Sequence, residues 1–418
     1  MSFANTSWTT ADFDSILKDF YLGPVQDTLN NKTVLLNRLS GDSEYVSGRN
    51  IIIPMRIGRN EGRGAAGKGG KLPNPGQQEY DNLSFPVTYY YMRMMFPGPD
   101  MKEARNDRGA FMRLMDSEIN NCILDGKHEF NRIIHGNGSG ALCKVTTDSV
   151  TSQVVEDPGG FDNPSLGTLF IRPGMILAAC DSSGVFTDNV TATVTTVTPS
   201  TQTIVFDQDP VTTAGDYFVT YNGDAGTTTP SAADTGWDNE MMGIAGIIDD
   251  ADPLSRSLQG VAVSGNDWWK AKVMDNGGTT RPLTLDLLQQ SEDELDIYAD
   301  ASPTILHSAH NQRRKYLDLL EANKRYVNSL VLDGGFKALE YNEVPWTVDK
   351  DCVDGRIYFL DEDVIGRFEM SDFFFLDKDG SILSRDSDRD IYQATIAYYG
   401  ECGTFNRKRG LLLTDLET

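Results

Sequence analysis

FPGPDMKEARNDRGAFMRLMDSEINNCILDGKHEFNRIIHGNGSG, residues 96–140, is the stretch whose reading decides the fold. Phe111, Met115, Ile119, Cys122, Ile123, Phe130 and Ile134 recur at three- or four-residue intervals. That spacing puts them on one face of an α-helix of about 27 residues, roughly 40 Å long at 1.5 Å per residue. Asn106 or Asp107 stands where an N-cap is needed, and the glycines and Asn of HGNGSG end the helix. A helix of this length is a strut rather than one layer of a small domain.

Upstream of the strut, the apolar run Ile51 to Ile57 and the run FPVTYYYMRMMF, Phe85 to Phe96, predict the two strands of a β-hairpin. Between them lies a Gly-rich tip from Gly58 to Gln78, too long for a loop folded against its own domain. Such a tip makes sense if it reaches away from its own subunit. Arg56, Arg59, Arg63, Lys68 and Lys71 face a single acid, Glu61, so the hairpin is cationic in an acidic chain. Residues 1–49 hold short amphipathic pieces such as FDSILKDFYLGPVQDTL without a heptad pattern, which predicts an arm.

Downstream, residues 141–240 carry thirteen acids against two bases, Lys144 and Arg172, and are rich in Thr, Val, Gly and Asp. Runs at Thr168 to Ile171, Met175 to Ala179, Val190 to Val197, Thr203 to Phe206 and Tyr217 to Tyr221 are separated by turn sequences. They predict a small barrel or sandwich between about Cys143 and Gly223. After the polar stretch DAGTTTPSAADTG, the segments TLDLLQQSEDELDIYADA and HNQRRKYLDLLEANKRYVNSL read as helices. GRIYFLD, Phe373 to Leu376 and the long IYQATIAYYGECGTFNRKRGLLLTDL read as strands.

The whole chain has 418 residues, enough for two or three structural units, and 39% hydrophobic residues, enough to bury cores. Sixty-one acids against thirty-seven bases leave a net charge of −24, which argues against affinity for nucleic acid through its phosphates. Five cysteines without a CxxC pair predict reduced thiols rather than a disulfide framework or a thiolate zinc site. No run approaches the length of a membrane-spanning helix, and the start has no signal-peptide pattern. Four histidines are a sparse supply of general bases.

Several motifs mimic chemical sites and fall short. Gly62 to Gly69 satisfies GxxxxGK, yet Gly69 stands where a Ser or Thr would hold Mg²⁺, and Pro73 and Pro75 occupy the place of the required helix. Asp386, Asp388 and Asp390 open like a calcium loop, but Ile391 replaces its glycine and Ala397 its twelfth-position Glu; Asp377, Asp379 and Gly380 form a shorter variant. His307 and His310 have spacing for one helix face without a third ligand. The acidic run Asp361-Glu362-Asp363 and the pair Trp268-Trp269 read as surface and packing features before they read as a catalytic or sugar site.

An arm, a long basic hairpin, a strut helix and a helix-plus-strand second half resemble the major capsid proteins of tailed double-stranded DNA phages, with the Hong Kong 97-type capsid fold. Residues 96–140 look like the hairpin exit, spine helix and Gly-rich turn of such proteins. The resemblance implies an α+β fold: an N-terminal arm (1–49), an extended E-loop (50–98), the spine helix of a peripheral domain (99–140), a β-rich insertion domain (141–225), a peripheral return (226–260), an axial domain (261–365) and C-terminal strands (366–418). It implies self-assembly into homo-hexamers and homo-pentamers of an icosahedral shell in the virion, built in the host cytoplasm around DNA that is not read by sequence. Catalytic residues, cofactor and metal are not expected; Arg56, Arg59, Arg63, Lys68 and Lys71 are the expected contacts with the next subunit. The short arm implies a separate scaffolding protein, beside portal and decoration partners. An acidic sugar-binding or carbohydrate-active protein using the β-rich block, or another virion component, is the alternative from composition.

Overall fold

The computed structural model describes residues 41–99 and 108–418, together with Leu35, Arg38 and Leu39, apart from 162, 164–165, 187–188, 255, 323–329, 332–336, 378–381 and 386–388. Two short strands, β1 (Gly41–Asp42) and β2 (Val46–Ser47), precede β3 (Asn50–Gly58) and β4 (Glu79–Pro86). β3 and β4 form an antiparallel hairpin, and β2 pairs with the first residues of β3. The next strand, β5 (Thr88–Pro97), does not belong to the hairpin. It pairs along ten residues with β20 (Ile391–Thr404) in a different sheet.

The expected single return strand from Phe85 to Phe96 is thus two strands in two sheets. Pro86 has no N–H to give a ladder, and at Val87 the chain leaves one partner for the other. β20 also pairs with β18 (Ile365–Phe375) and with β19 (Ser384–Arg385), and β1 adds to β18 in parallel.

The strut is α1 (Arg108–His135), 28 residues. Among its described side chains Ile119, Ile123, Phe130, Ile133 and Ile134 are buried, which is one face at the expected spacing. That face lies on the five-stranded sheet. Phe130 meets Tyr90, Phe373 and Tyr398 edge-on, with centroids 5.7, 5.3 and 5.0 Å away. The side chains of Phe111 and Met115, which begin the apolar stripe, lie outside the described residues.

Beyond α1 the chain builds a closed six-stranded barrel from β6 (Ala141–Thr147), β7 (Ser152–Glu156), β8 (Ile176–Cys180), β9 (Ala192–Thr198), β10 (Thr203–Phe206) and β11 (Tyr217–Thr220). Leu142, Val155, Leu177, Val194, Ile204 and Phe218 fill it. Thr168 to Ile171, expected as a strand, is a pair of turns that carries Phe170 and Ile171 into the barrel core.

A single short helix, α2 (Ile244–Ile247), follows. Then comes a seven-stranded sheet of β12 (Lys272–Met274), β13 (Ile305–Ser308), β14 (Leu330–Val331), β15 (Lys337–Tyr341), β16 (Val344–Val348), β17 (Ile357–Leu360) and β21 (Leu411–Leu413). The helices α3 (Leu285–Ala299) and α4 (His310–Ala322) belong to this half, and the Thr284 side chain caps α3 by accepting from Leu287 N. The predicted continuation of α4 through 323–329 lies outside the described residues.

Strand alternation divides the sheet between two cores. Leu306, Trp346, Ile357 and Phe359 pack with Leu288, Leu295 and Tyr316 of the helices. Ile305, Tyr358 and Leu360 point the other way, into the core shared with α1 and the five-stranded sheet. The closing run expected as one long strand breaks at the turn Arg407–Arg409, so β20 and β21 serve different sheets.

A candidate subunit-contact surface

Among the described residues the hairpin β3–β4 is anchored at its base. There Ile51, Ile53, Leu83 and Phe85 alternate into the main core. From Pro54 outward the strands carry no fully buried residue, and a two-stranded ribbon without a packed face is marginal in water. The tip narrows where its two limbs cross: a Cβ on Gly62 would lie 2.6 Å from Gly76 N, and Asn60 Oδ1 accepts from Gly62 N at 2.7 Å. Only glycine permits that approach. At the apex Gly70 N donates to Gly67 O at 2.8 Å, and Gly69 takes the left-handed conformation with φ +82°.

This backbone displays every cation singled out from the sequence. Arg56 lies on β3 opposite Tyr80, Arg59 and Arg63 on the outgoing limb, Lys68 in the apical turn and Lys71 just past it. All five side chains are exposed, and among the described residues none of them has an ion pair. Arg56 Nε makes only a long bond, 3.4 Å, to Gly58 O. The structure therefore strings the five along one ribbon rather than gathering them round a pocket. The same ribbon exposes two large apolar side chains that charge counting does not find, Leu72 at 79% and Tyr80 at 69%. The signal for them was present as apolar residues in a loop otherwise of Gly, Pro and polar types.

The glycine run of the tip is followed by extended chain, with no helix N-terminus for a phosphate. His307 and His310 do not converge: His307 is buried on β13, whereas His310 begins α4 in solvent. Among the described residues no group of three or more His, Cys, Asp and Glu could hold a metal. Asp386, Asp388, Asp379 and Gly380 lie outside those residues. Asp361 is ion-paired with Arg409 at 2.8 Å, and Glu362 pairs with Arg38, so that acidic run holds chain segments together. Trp269 is completely buried beside Trp268, a packing pair.

A second exposed patch lies on the five-stranded sheet. Tyr89, Tyr91 and Met95 project from β5, and Tyr399 of β20 stands between Tyr89 and Phe374 at 5.0 and 5.1 Å. Burial and the hydrogen bond to Tyr399 push the Tyr91 phenol up to about 12.

No family model matches the chain, and no curated protein sequence matches it significantly. Solved structures do. The capsid asymmetric unit of cyanophage A-1(L) is similar over 92% of this chain and 93% of its own, with a TM-score of 0.51 and 11% identity. The capsid of the native GTA particle (TM-score 0.46, 9% identity, 93% and 90% covered) and that of Mycobacterium phage Bobi (0.44, 6%, 98% and 99%) are also similar. At such identities the likeness concerns the path of the backbone. The chain has the fold of tailed-phage major capsid proteins.

Proposed function

We propose that the chain is a major capsid protein whose copies assemble into hexamers and pentamers of an icosahedral shell around phage DNA, with a structural and not a catalytic role. The observation that carries this reading is the hairpin: five exposed cations, none with an ion pair among the described residues, and two exposed large apolar residues on one ribbon. The rest of the chain is acidic. Residues 141–418 hold forty-five acids and twenty-one bases. A cationic ribbon fits an acidic neighbour, and a contact between two different surfaces of identical chains closes into rings. Contacts that are weak one at a time suffice when a closed shell repeats them.

On this reading residues 1–49 are the arm, 50–98 the extended loop, 99–140 and 226–260 parts of the peripheral domain, 141–225 an insertion domain, 261–365 the axial domain and 366–418 the closing strands. Thr88–Pro97 then anchors the loop in the peripheral sheet. Scaffolding, portal and decoration proteins are the partners expected beside the chain itself, and the virion is its place. Sedimentation and electron microscopy of the purified chain test the reading. Capsomers or hollow particles tens of nanometres across are expected; a monomer of 46.2 kDa that persists at high concentration overturns it.

A further inference from the structure

One buried polar contact connects the end of α1 to the seven-stranded sheet. His135, in the last turn of α1, and His307, on β13, face each other with Nε2 to Nε2 at 2.8 Å and ring centroids 5.0 Å apart. Both rings are almost fully buried, so water does not satisfy their nitrogens.

Proton positions follow from the outer nitrogens. His135 Nδ1 lies 2.7 Å from Asn131 O, and a carbonyl only accepts, so that nitrogen carries a proton. His307 Nδ1 lies 2.9 Å from Thr347 Oγ1. The Thr347 hydroxyl lies 3.1 Å from Leu306 O, and the arrangement that satisfies both neighbours has it donate there and accept from His307 Nδ1. Two neutral rings protonated at Nδ1 would present bare lone pairs to each other at hydrogen-bond distance. A third proton between the Nε2 atoms turns that repulsion into a charge-assisted N–H···N bond.

We propose that His135 and His307 share a single proton and form a pH-sensitive latch between α1 and the seven-stranded sheet. The surroundings suit one positive charge. On α1, Arg132 is engaged by Glu129 and by Glu240, and in the loop after β16 Lys350 is engaged by Asp351. Asp349 in that loop remains as the carboxylate whose field reaches both rings, and Asn131 Nδ2 holds it at 2.8 Å. Cys352 of the same loop and Tyr358, opposite His307 on β17, are buried groups whose burial pushes them far up, so they stay neutral. A second proton is opposed: burial and the charge of His135 push His307 down to about 3.

The sign follows from His307. Below about 6.5 the unfolded chain charges both imidazoles while the folded pair keeps one proton, so the pair's contribution falls as pH drops toward 3. Once the shared proton leaves, the lone pairs oppose each other and the last turn of α1 parts from β13. The latch lies within one subunit, so it stands or falls independently of the assembly reading.

The test is ¹⁵N-histidine NMR of the full-length protein across pH 5–9, with melting temperature followed over the same range for wild type, His307→Gln and His135→Gln. Expected are a proton on His307 Nδ1 and on His135 Nδ1, coupling between the two Nε2 nuclei, and a wild-type-minus-variant melting difference that shrinks as pH falls from 7 to 5. A bare Nδ1 on His307 at neutral pH, absence of the Nε2 coupling, or a flat difference overturns the latch. Should a variant fail to fold, the wild-type spectra alone decide.

Discussion

Gly140 and Gly236 lie back to back at the neck of the barrel: a Cβ on Gly140 would stand 2.0 Å from Gly236 O. One residue precedes the first barrel strand and the other follows the last, so the chain enters and leaves the barrel through one tight crossing. Gly140 is also left-handed, with φ +76°. Gly140→Ala should therefore cost about 3 kcal/mol, the sum of backbone strain and overpacking against a carbonyl that cannot swing aside. Gly174→Ala, at φ +91° with nothing within 4 Å of its Cβ, carries the strain alone and should cost about 1 kcal/mol. Denaturant melts of both variants check the contrast, and equal losses would show that the neck is not tight.

Reversing the hairpin charge should separate folding from assembly. In Arg59→Glu, Arg63→Glu, Lys68→Glu and Lys71→Glu combined, every altered side chain is exposed and without an ion pair among the described residues, so the melting temperature should barely move. Particle formation should be abolished. Between about 0.05 and 1 M salt the wild type should also assemble progressively less well, since exposed charges are screened beyond a few ångströms at the upper end. Wild-type-like particles from the reversed variant would remove the hairpin from the contact.

How far the fold was legible in the sequence depended on the range of each signal. The α1 stripe reports local periodicity, and Ile119, Ile123, Phe130 and Ile134 are buried as their spacing required. The division at Val87 was hidden because Tyr89, Tyr90 and Tyr91 are aromatic at consecutive positions and mask the change of buried face from Phe85 and Val87 to Met92, Met94 and Phe96. Pro86 was the available sign. Thr168 to Ile171 misled because β-branched and aromatic residues serve a buried turn as well as a strand. The cationic ribbon could be read residue by residue, since charge in a Gly-rich loop has no competing structural reason. His135 and His307 are 172 positions apart, and only the packing of α1 on β13 brings them together.

Arg407 ties three separate segments to the turn between β20 and β21. Completely buried, it donates to Ile247 O at 2.9 Å, Trp269 O at 3.2 Å, Gly246 O at 3.1 Å and Ala251 O at 2.8 Å. Arg407→Met fills much of the volume yet leaves those carbonyls without this donor, and a loss of about 3–5 kcal/mol is expected. Arg407→Lys should recover little, since one ammonium cannot reach the positions of a planar fork. Urea titration reads both values, and a lysine variant as stable as wild type would refute the role of the fork.

The five thiols should be almost inert in the folded subunit. Burial pushes Cys143, Cys180, Cys352 and Cys402 far up, and it pushes the half-buried Cys122 up to about 11. The thiolate is the reacting species, so at pH 8 a disulfide reagent should modify Cys122 slowly and the other four only after unfolding. Five thiols should appear in denaturant. Rapid modification of two or more in the native protein would contradict the packing of the barrel and sheet cores.

Glu401 offers the clearest test of a buried carboxyl. It is 3% exposed, lies 3.3 Å from Arg256 Nη1, and accepts from Cys402 N at 3.2 Å and from Met242 N. Burial raises it above the ordinary carboxylate range, and Arg256 and these N–H groups offset only part of the shift. A carboxyl raised by folding holds its proton more tightly in the folded state. Its contribution is complete below the unfolded value of about 4.3 and is lost as pH rises through the folded value. Glu401→Gln keeps the shape and the acceptor oxygen but cannot ionise. Its stability relative to wild type should therefore improve steadily from pH 4 toward pH 7, by up to about 1.4 kcal/mol for each unit by which folding raises the carboxyl. A difference that is constant over that range, or that runs the other way, would mean that Arg256 outweighs burial at this site.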